Sequence, residues 1–300
     1  MHLQPKKSNL VVWTFLLLLV AFFWGNSFIA VKHIIQYVNP LEMVTVRFVL
    51  AAVIFAAVLL PTRGREVWHM LRMERWRFVL LALTGGVINN AFLGLGMTHV
   101  AAGTASLIIA MNPAFTYSFS VLALGERFVW RRVLGMAVAF VGVFVIIRWG
   151  TGRPVTLDDV GYAFLTMLTP FLWSIYTVLG KSVVERHPPV LVAGTSVVVA
   201  GLFSLIFVRP ALLARLPTLP ASFWESVLFL AVPCTVFAFV VWFSALERMQ
   251  AGRVAGFIYL VPLVAVTFSH WLLDEPISAA LLLGAAILIG GLWLVNRRSA

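Results

Sequence analysis

A chain of 300 residues in which 62% are hydrophobic and only 11% charged is too apolar for water, since a soluble domain carries about 25% charged residues. The net charge of +11 does not make it a nucleic-acid binder, because the basic residues fall in short gaps between apolar runs rather than on one continuous face. The single cysteine, Cys234, sits inside an apolar run, which excludes an intrachain disulfide and argues against thiol redox chemistry.

The runs themselves predict an all-α membrane protein whose surroundings are the lipid bilayer. A helix needs ~20 apolar residues to cross, and hydrocarbon obliges the backbone to satisfy its own hydrogen bonds. Taken in order, spans are expected at roughly 10–31, 41–60, 77–97, 103–122, 130–147, 160–180, 190–208, 224–246, 254–272 and 278–295. The first follows Lys6 and Lys7 but is longer than a signal-peptide core and lacks a small-x-small cleavage site, so it reads as a retained span. Between spans two and three, Thr62 to Trp76 interleaves Arg with Val67, Trp68, Met70, Leu71 and Met73, the pattern of a short interfacial helix. The stretch 148–159, with Gly150, Gly152 and Pro154, reads as a connector. With a cytoplasmic N-terminus, only Lys32, Arg148, Arg153, Arg209 and Arg215 fall outside and Arg47 falls within a span. All other Lys and Arg lie inside, so both termini are expected in the cytoplasm and the chain in the cytoplasmic membrane.

A displacement of 149 superimposes the chain on itself: Trp24 on Trp173, Lys32 on Lys181, Pro40 on Pro189, Gly103 on Gly252, Pro113 on Pro262, Glu126 on Glu275, Gly135 on Gly284 and Gly142 on Gly291. Such a frame of Pro, Gly, Trp and charged residues marks a duplication. The expected organisation is a five-helix repeat over 1–147, a connector over 148–159 and a second repeat over 160–300. An odd number of crossings inverts the second copy in the membrane, and inverted repeats are the architecture of alternating-access carriers.

The run Trp24-Gly25-Asn26-Ser27-Phe28, Arg47 in span two, Gly125-Glu126-Arg127 followed by Gly135 and Gly142, and the echo Asp274-Glu275-Pro276 with Gly284 and Gly291 resemble the EamA family of the drug/metabolite transporter superfamily. The resemblance covers nearly the whole chain. It implies a ten-helix carrier with a central cavity formed mainly by spans one, three, four, six, eight and nine, exporting amino acids or related metabolites. The second copy departs from the pattern at Ser174, which replaces the Gly after Trp, and at Ser196, which stands where an Arg would match Arg47.

Candidate cavity contacts are the aromatics Trp24, Trp173, Tyr176, Trp242 and Tyr259 and the amides Asn26, Asn89, Asn90 and Asn112. Amides inside spans are costly unless paired or wet, and aromatic walls with a few amides suit an aromatic or large neutral amino acid. Of the adjacent pair Asn89-Asn90, one is expected to line the cavity and the other to bind a neighbouring helix. Pro113 and Pro262 are expected to kink spans four and nine at matching places. Arg47 lies near the outer face, where it could hold structure, meet Glu42 imperfectly, bind a carboxylate or snorkel. Lys32 and Lys181 read as snorkelling residues, and Glu126 and Glu275 as helix caps. The glycines at 135, 142, 284 and 291 predict close helix packing as scaffold or as a homodimer contact through spans five and ten.

All 11 acidic residues fall at span ends or in loops. That counts against a proton-coupled carrier of drugs or organic cations, which needs a titrating membrane carboxylate. A membrane-embedded lipid-modifying enzyme is the remaining alternative, but His270 and Asp274 are the only near-match to a catalytic pair. No cofactor or metal is expected, and the partner is a small-molecule substrate.

Overall fold

The computed structural model describes residues 7–123, 128–150 and 157–296, and the regular elements within them are all helical. Glu126, with Gly125 and Arg127, and residues 151–156 of the expected connector lie outside the described residues. Helix α1 spans Lys7–Ile34. Helix α2, Pro40–Leu81, starts from a capping box in which Asn39 Oδ1 accepts from the backbone N–H of Leu41 and Glu42, and Glu42 Oε2 accepts from that of Asn39. It continues through a π-helical turn, Ala82–Val87, into α3, Ile88–Gly96. Then follow α4 (Ala102–Ile109), α5 (Asn112–Ala123), α6 (Trp130–Trp149), α7 (Leu157–Val184) and α8 (Pro189–Ser204). A short α9 (Pro210–Arg215) leads to α10 (Ala221–Ala231), a second π-helical turn (Val232–Phe237) and α11 (Ala238–Arg248). The chain ends with α12 (Ala251–Ala255), a 3-10 turn (Gly256–Leu260), α13 (Val261–Leu273) and α14 (Ala279–Asn296).

The segment Pro40–Gly96 is helical for 57 residues and would reach about 85 Å if straight, against a hydrocarbon core of ~30 Å. It folds back instead. A Cβ on Gly94 would stand 3.0 Å from Met43 and Pro40, and one on Gly86 3.5 Å from the Phe48 ring. The end of the segment therefore runs antiparallel beside its start. The corners are at Arg63 (φ −140°) and Glu74 (φ −116°), where the backbone leaves helical geometry. Between them Val67 and Met70 are buried while Trp68 and Met73 are exposed, the two-faced helix expected there. Counting that hairpin as two and adding the shorter Ala279–Leu294, the described residues hold ten apolar helical stretches. Exposed Phe15, Val53, Phe144, Phe164, Ile206, Leu263 and Leu282 make an outer surface that only lipid solvates well.

Helices α6 and α14 carry the clearest trace of the duplication. A Cβ on Gly142 would meet Leu288 N at 2.5 Å and Gly284 O at 2.7 Å, and one on Gly291 would meet Gly135 O at 2.6 Å. The contacts are thus Gly135 with Gly291 and Gly142 with Gly284. In the repeat frame Gly135 corresponds to Gly284 and Gly142 to Gly291, so each contact is the image of the other with the partners exchanged. That reciprocity is the mark of a twofold axis, here perpendicular to two antiparallel helices. The glycine stripes thus pack against each other within one chain, the scaffold role expected of them.

Other contacts repeat in the same frame. Lys32 Nζ donates to Met97 O (2.5 Å) and Lys181 Nζ to Leu246 O (2.7 Å). Each ammonium sits on a carbonyl near a helix C-terminus, where the backbone dipole favours a cation. The matched prolines also behave otherwise than expected. Pro113 and Pro262 are each the second residue of a new helix, α5 and α13, where a missing N–H costs nothing. Spans four and nine are therefore broken and restarted rather than kinked.

Two carboxylates tie the halves together. Glu275 accepts from Ala102 N (2.6 Å) and Gly103 N (2.9 Å), so it caps α4 in the other half rather than the helix that follows it. Glu275→Gln leaves the shape but removes the charge from a helix N-terminus. We expect a loss of about 2 kcal/mol, read as a melting temperature several degrees lower in detergent. Glu74, buried, takes Arg77 and Arg186 (2.8 Å), with His187 Nε2 at 3.7 Å, linking the corner of the first hairpin to the α7–α8 turn.

Candidate functional site

The π-helical turns at Ala82–Val87 and Val232–Phe237 are one residue off the repeat frame, and each sets backbone carbonyls free of their usual helical partners. Side chains take them up, as a bilayer interior requires. Asn90 Nδ2 donates to Gly86 O (2.8 Å), Trp24 Nε1 to Cys234 O (3.0 Å), and Thr235 Oγ1 to Leu230 O (2.7 Å). These bonds aim Trp24 and Asn90 at one central space, with Thr235 buried behind it.

That space is a cavity lined by Trp24, Ser27, Phe28, Arg47, Asn89, Asn90, Leu93, Ile109, Thr169, Pro170, Trp173, Phe239, Ile258 and Val261. Trp24 and Trp173 are equivalent in the repeat frame, as are Ile109 and Ile258, so the cavity straddles the twofold axis. Its volume is about 80 Å³, measured as the space open to the centre of a water molecule. That is room for a few waters or a small solute. Aromatic rings close one end: Trp242 lies 5.1 Å from Trp24 and 5.9 Å from Trp173, and Tyr176 4.8 Å from Trp173. Tyr176 packs onto Gly85, where even a Cβ would overlap the ring.

Most of the polar lining belongs to the first half, with Thr169 and Trp173 added by the second. Arg47 Nε donates to Thr235 Oγ1 (3.0 Å) and Nη1 to Asn90 Oδ1 (2.7 Å), and the residue is 5% exposed. It neither snorkels nor pairs with Glu42, whose carboxylate caps α2. Asn89 Nδ2 donates to Thr169 O (2.8 Å). Their counterparts at 196, 238 and 239 are Ser, Ala and Phe, so the symmetric backbone carries an asymmetric site.

Of the candidates from sequence, Trp24, Asn89, Asn90 and Trp173 line the cavity together. The expectation that Asn89 and Asn90 divide the work is corrected: both line it and both also bond to neighbouring backbone. Tyr176 and Trp242 stand behind Trp173 as the closed end. Asn112 is fully buried and donates to Ser174 Oγ (2.9 Å) and Pro170 O (3.1 Å), which joins α5 to α7. Asn26 bonds back to Phe22 O within its own helix. Tyr259 lines a separate apolar groove of about 570 Å³ beside α13 and α14. Residues that the candidate set omitted are Ser27, Arg47 and Thr169; Arg47 was visible in the sequence as the only strong base within a span.

A helical membrane protein with a largely apolar cavity that carries a few polar groups, on the axis between two like halves, has the build of a carrier, and the comparisons agree. The chain belongs to the EamA-like transporter family, whose profile matches residues 11–148 and again 161–297. It is 29% identical, over 98% of this chain and 95% of the relative, to a probable terminal-alkyne amino-acid exporter of Streptantibioticus cattleyicolor. It is 28% identical, over 93% of both chains, to a probable amino-acid metabolite efflux pump of Escherichia coli. A solved crystal structure of a protein 19% identical in sequence superimposes with a TM-score of 0.66 over 95% of this chain and 96% of that one, a likeness of fold.

Proposed function

We propose that this transporter exports small amino acids or closely related metabolites across the cytoplasmic membrane by alternating access. On this reading its ten apolar helices are ten crossings, with both termini in the cytoplasm and residues 1–147 and 160–300 as inverted halves. The observation that carries the proposal is the axial cavity, walled by Trp24 and Trp173 and supplied with amide, hydroxyl and guanidinium groups. A site shared by two inverted halves can be presented to either side by rocking one against the other. The two relatives named above, exporters of amino acids or their metabolites, support the same class of cargo.

Size narrows the class. A cavity of about 80 Å³ suits a small side chain such as that of alanine, threonine or valine, whereas an aromatic amino acid requires the Trp24–Trp173 pair, 5.1 Å apart, to separate. An organic cation is disfavoured, because the cavity lining holds Arg47 and no carboxylate. The experiment is counterflow of tritiated alanine, threonine and valine in proteoliposomes, with and without a pH gradient. Trans-stimulated uptake of at least one is the expected result. Absence of uptake for all three, with uptake of an organic cation or none at all, contradicts the proposal.

A further inference from the structure

We propose that Arg47 and Asn89 are a matched pair for the two charges of an α-amino acid: the Arg47 guanidinium binds the carboxylate and the Asn89 carbonyl oxygen binds the ammonium. The proposal deepens the carrier reading above and rests on it.

The case for Arg47 starts from its cost. A charge held inside a membrane protein is expensive unless paired. Among the described residues no carboxylate forms an ion pair with Arg47. Its Nε and Nη1 are occupied by two neutral partners, Thr235 and Asn90. Asn90 is itself anchored through Nδ2 on the carbonyls of the first π-turn, and Thr235 through its hydroxyl on Leu230 O at the second. The fork is therefore held in a fixed orientation by both halves, and Nη2 donates to no atom of the described protein. A fixed guanidinium with a donor to spare at a cavity wall is built to bind a carboxylate. Two further donors at the same cavity are buried without a partner, Trp173 Nε1 and Thr169 Oγ1. Unmet donors in such a place favour a ligand rich in acceptors.

Asn89 supplies the opposite polarity. Its Nδ2 faces a carbonyl, Thr169 O, which only accepts, so the orientation of the amide is fixed and Oδ1 is the atom left over. Oδ1 accepts from no donor of the described protein. A free carbonyl oxygen in a cavity also lined by Trp24 and Trp173 is a site for an ammonium, by hydrogen bond and by attraction to aromatic rings. The inverted half cannot offer a second such pair, since Ser196 and Ala238 stand in the matching places. The cargo is accordingly held in one orientation throughout the cycle.

The test compares three probes of like shape in proteoliposomes of the full chain: tritiated valine, valine methyl ester and isobutylamine. The wild type is expected to carry valine at least tenfold faster than either analogue. Arg47→Gln is expected to lower valine flux to the level of the ester and thereby abolish the discrimination; Arg47→Lys restores part of it. Asn89→Leu is expected to raise KM for valine at least tenfold while leaving binding of isobutyrate, which has no ammonium, unchanged. Should Arg47→Gln fail to fold, the wild-type selectivity and Arg47→Lys still decide. Wild-type flux that is equal for acid, ester and amine overturns the anchor and leaves the carrier standing. Flux of none of the three, in protein that melts normally, falls on the carrier reading instead.

Discussion

Gly291→Ala is expected to destabilise the protein by about 3 kcal/mol, while Gly290→Ala, one residue away, leaves it unchanged or slightly more stable. The two glycines are neighbours on α14, yet they face different surroundings. A methyl group at 291 would overlap the backbone of α6 at Ala139 N and stand 2.6 Å from Gly135 O, whereas one at 290 meets nothing within 4 Å. The obstructing atoms are main chain, so no rotamer change relieves them and the helices must part. At 290 the only change is the removal of backbone freedom from the unfolded chain, which stabilises a helix by up to about 1 kcal/mol. The measurement is thermal unfolding of both variants in detergent, with a separation on the order of 10 °C expected. Equal melting temperatures would mean that α6 and α14 are not in backbone contact.

Leu93→Trp is expected to abolish transport by filling the cavity. In the repeat frame Leu93 corresponds to Trp242, the ring that closes the other end against Trp24 and Trp173. Tryptophan adds about six heavy atoms over leucine, enough to take up much of a cavity of about 80 Å³. Flux of the transported amino acid should fall at least tenfold with the melting temperature held within a few degrees. Leu93→Ala, which enlarges the same space, should carry at least as much as the wild type. Transport by Leu93→Trp at the wild-type rate would place the pathway elsewhere.

These expectations were partly legible in the sequence. The helices, the two-faced segment between the first hairpin's arms and the duplication follow from apolar length, from Trp68 among arginines and from the spacing of Pro and Gly, all of them local signals. The glycine stripes announced close packing as well, but not which surface they would meet, because that depends on where the second half docks. Arg47 shows the limit most clearly. Counting seven residues from Pro40 places it near an end of the span, where a lysine-like escape to water is the ordinary expectation. Its direction is instead set by the two π-helical turns, and nothing in a stretch such as Leu83-Thr84-Gly85-Gly86 marks the extra residue that rotates Asn90 toward it. Glu275 likewise reads as a cap, but its target on α4 lies 173 residues away in sequence.

Inversion of the two halves underlies the shared cavity, and residues 36 and 185 test it most directly. They are equivalent in the repeat frame, follow the helices that carry Lys32 and Lys181, and are both exposed. Gln36→Cys and Glu185→Cys, each in a Cys234→Ala background, can be labelled in intact cells with a membrane-impermeant maleimide. The cysteine at 36 should react from outside, and that at 185 only after the membrane is permeabilised. Labelling of both from the same face would contradict the inverted arrangement, and with it the shared axial cavity.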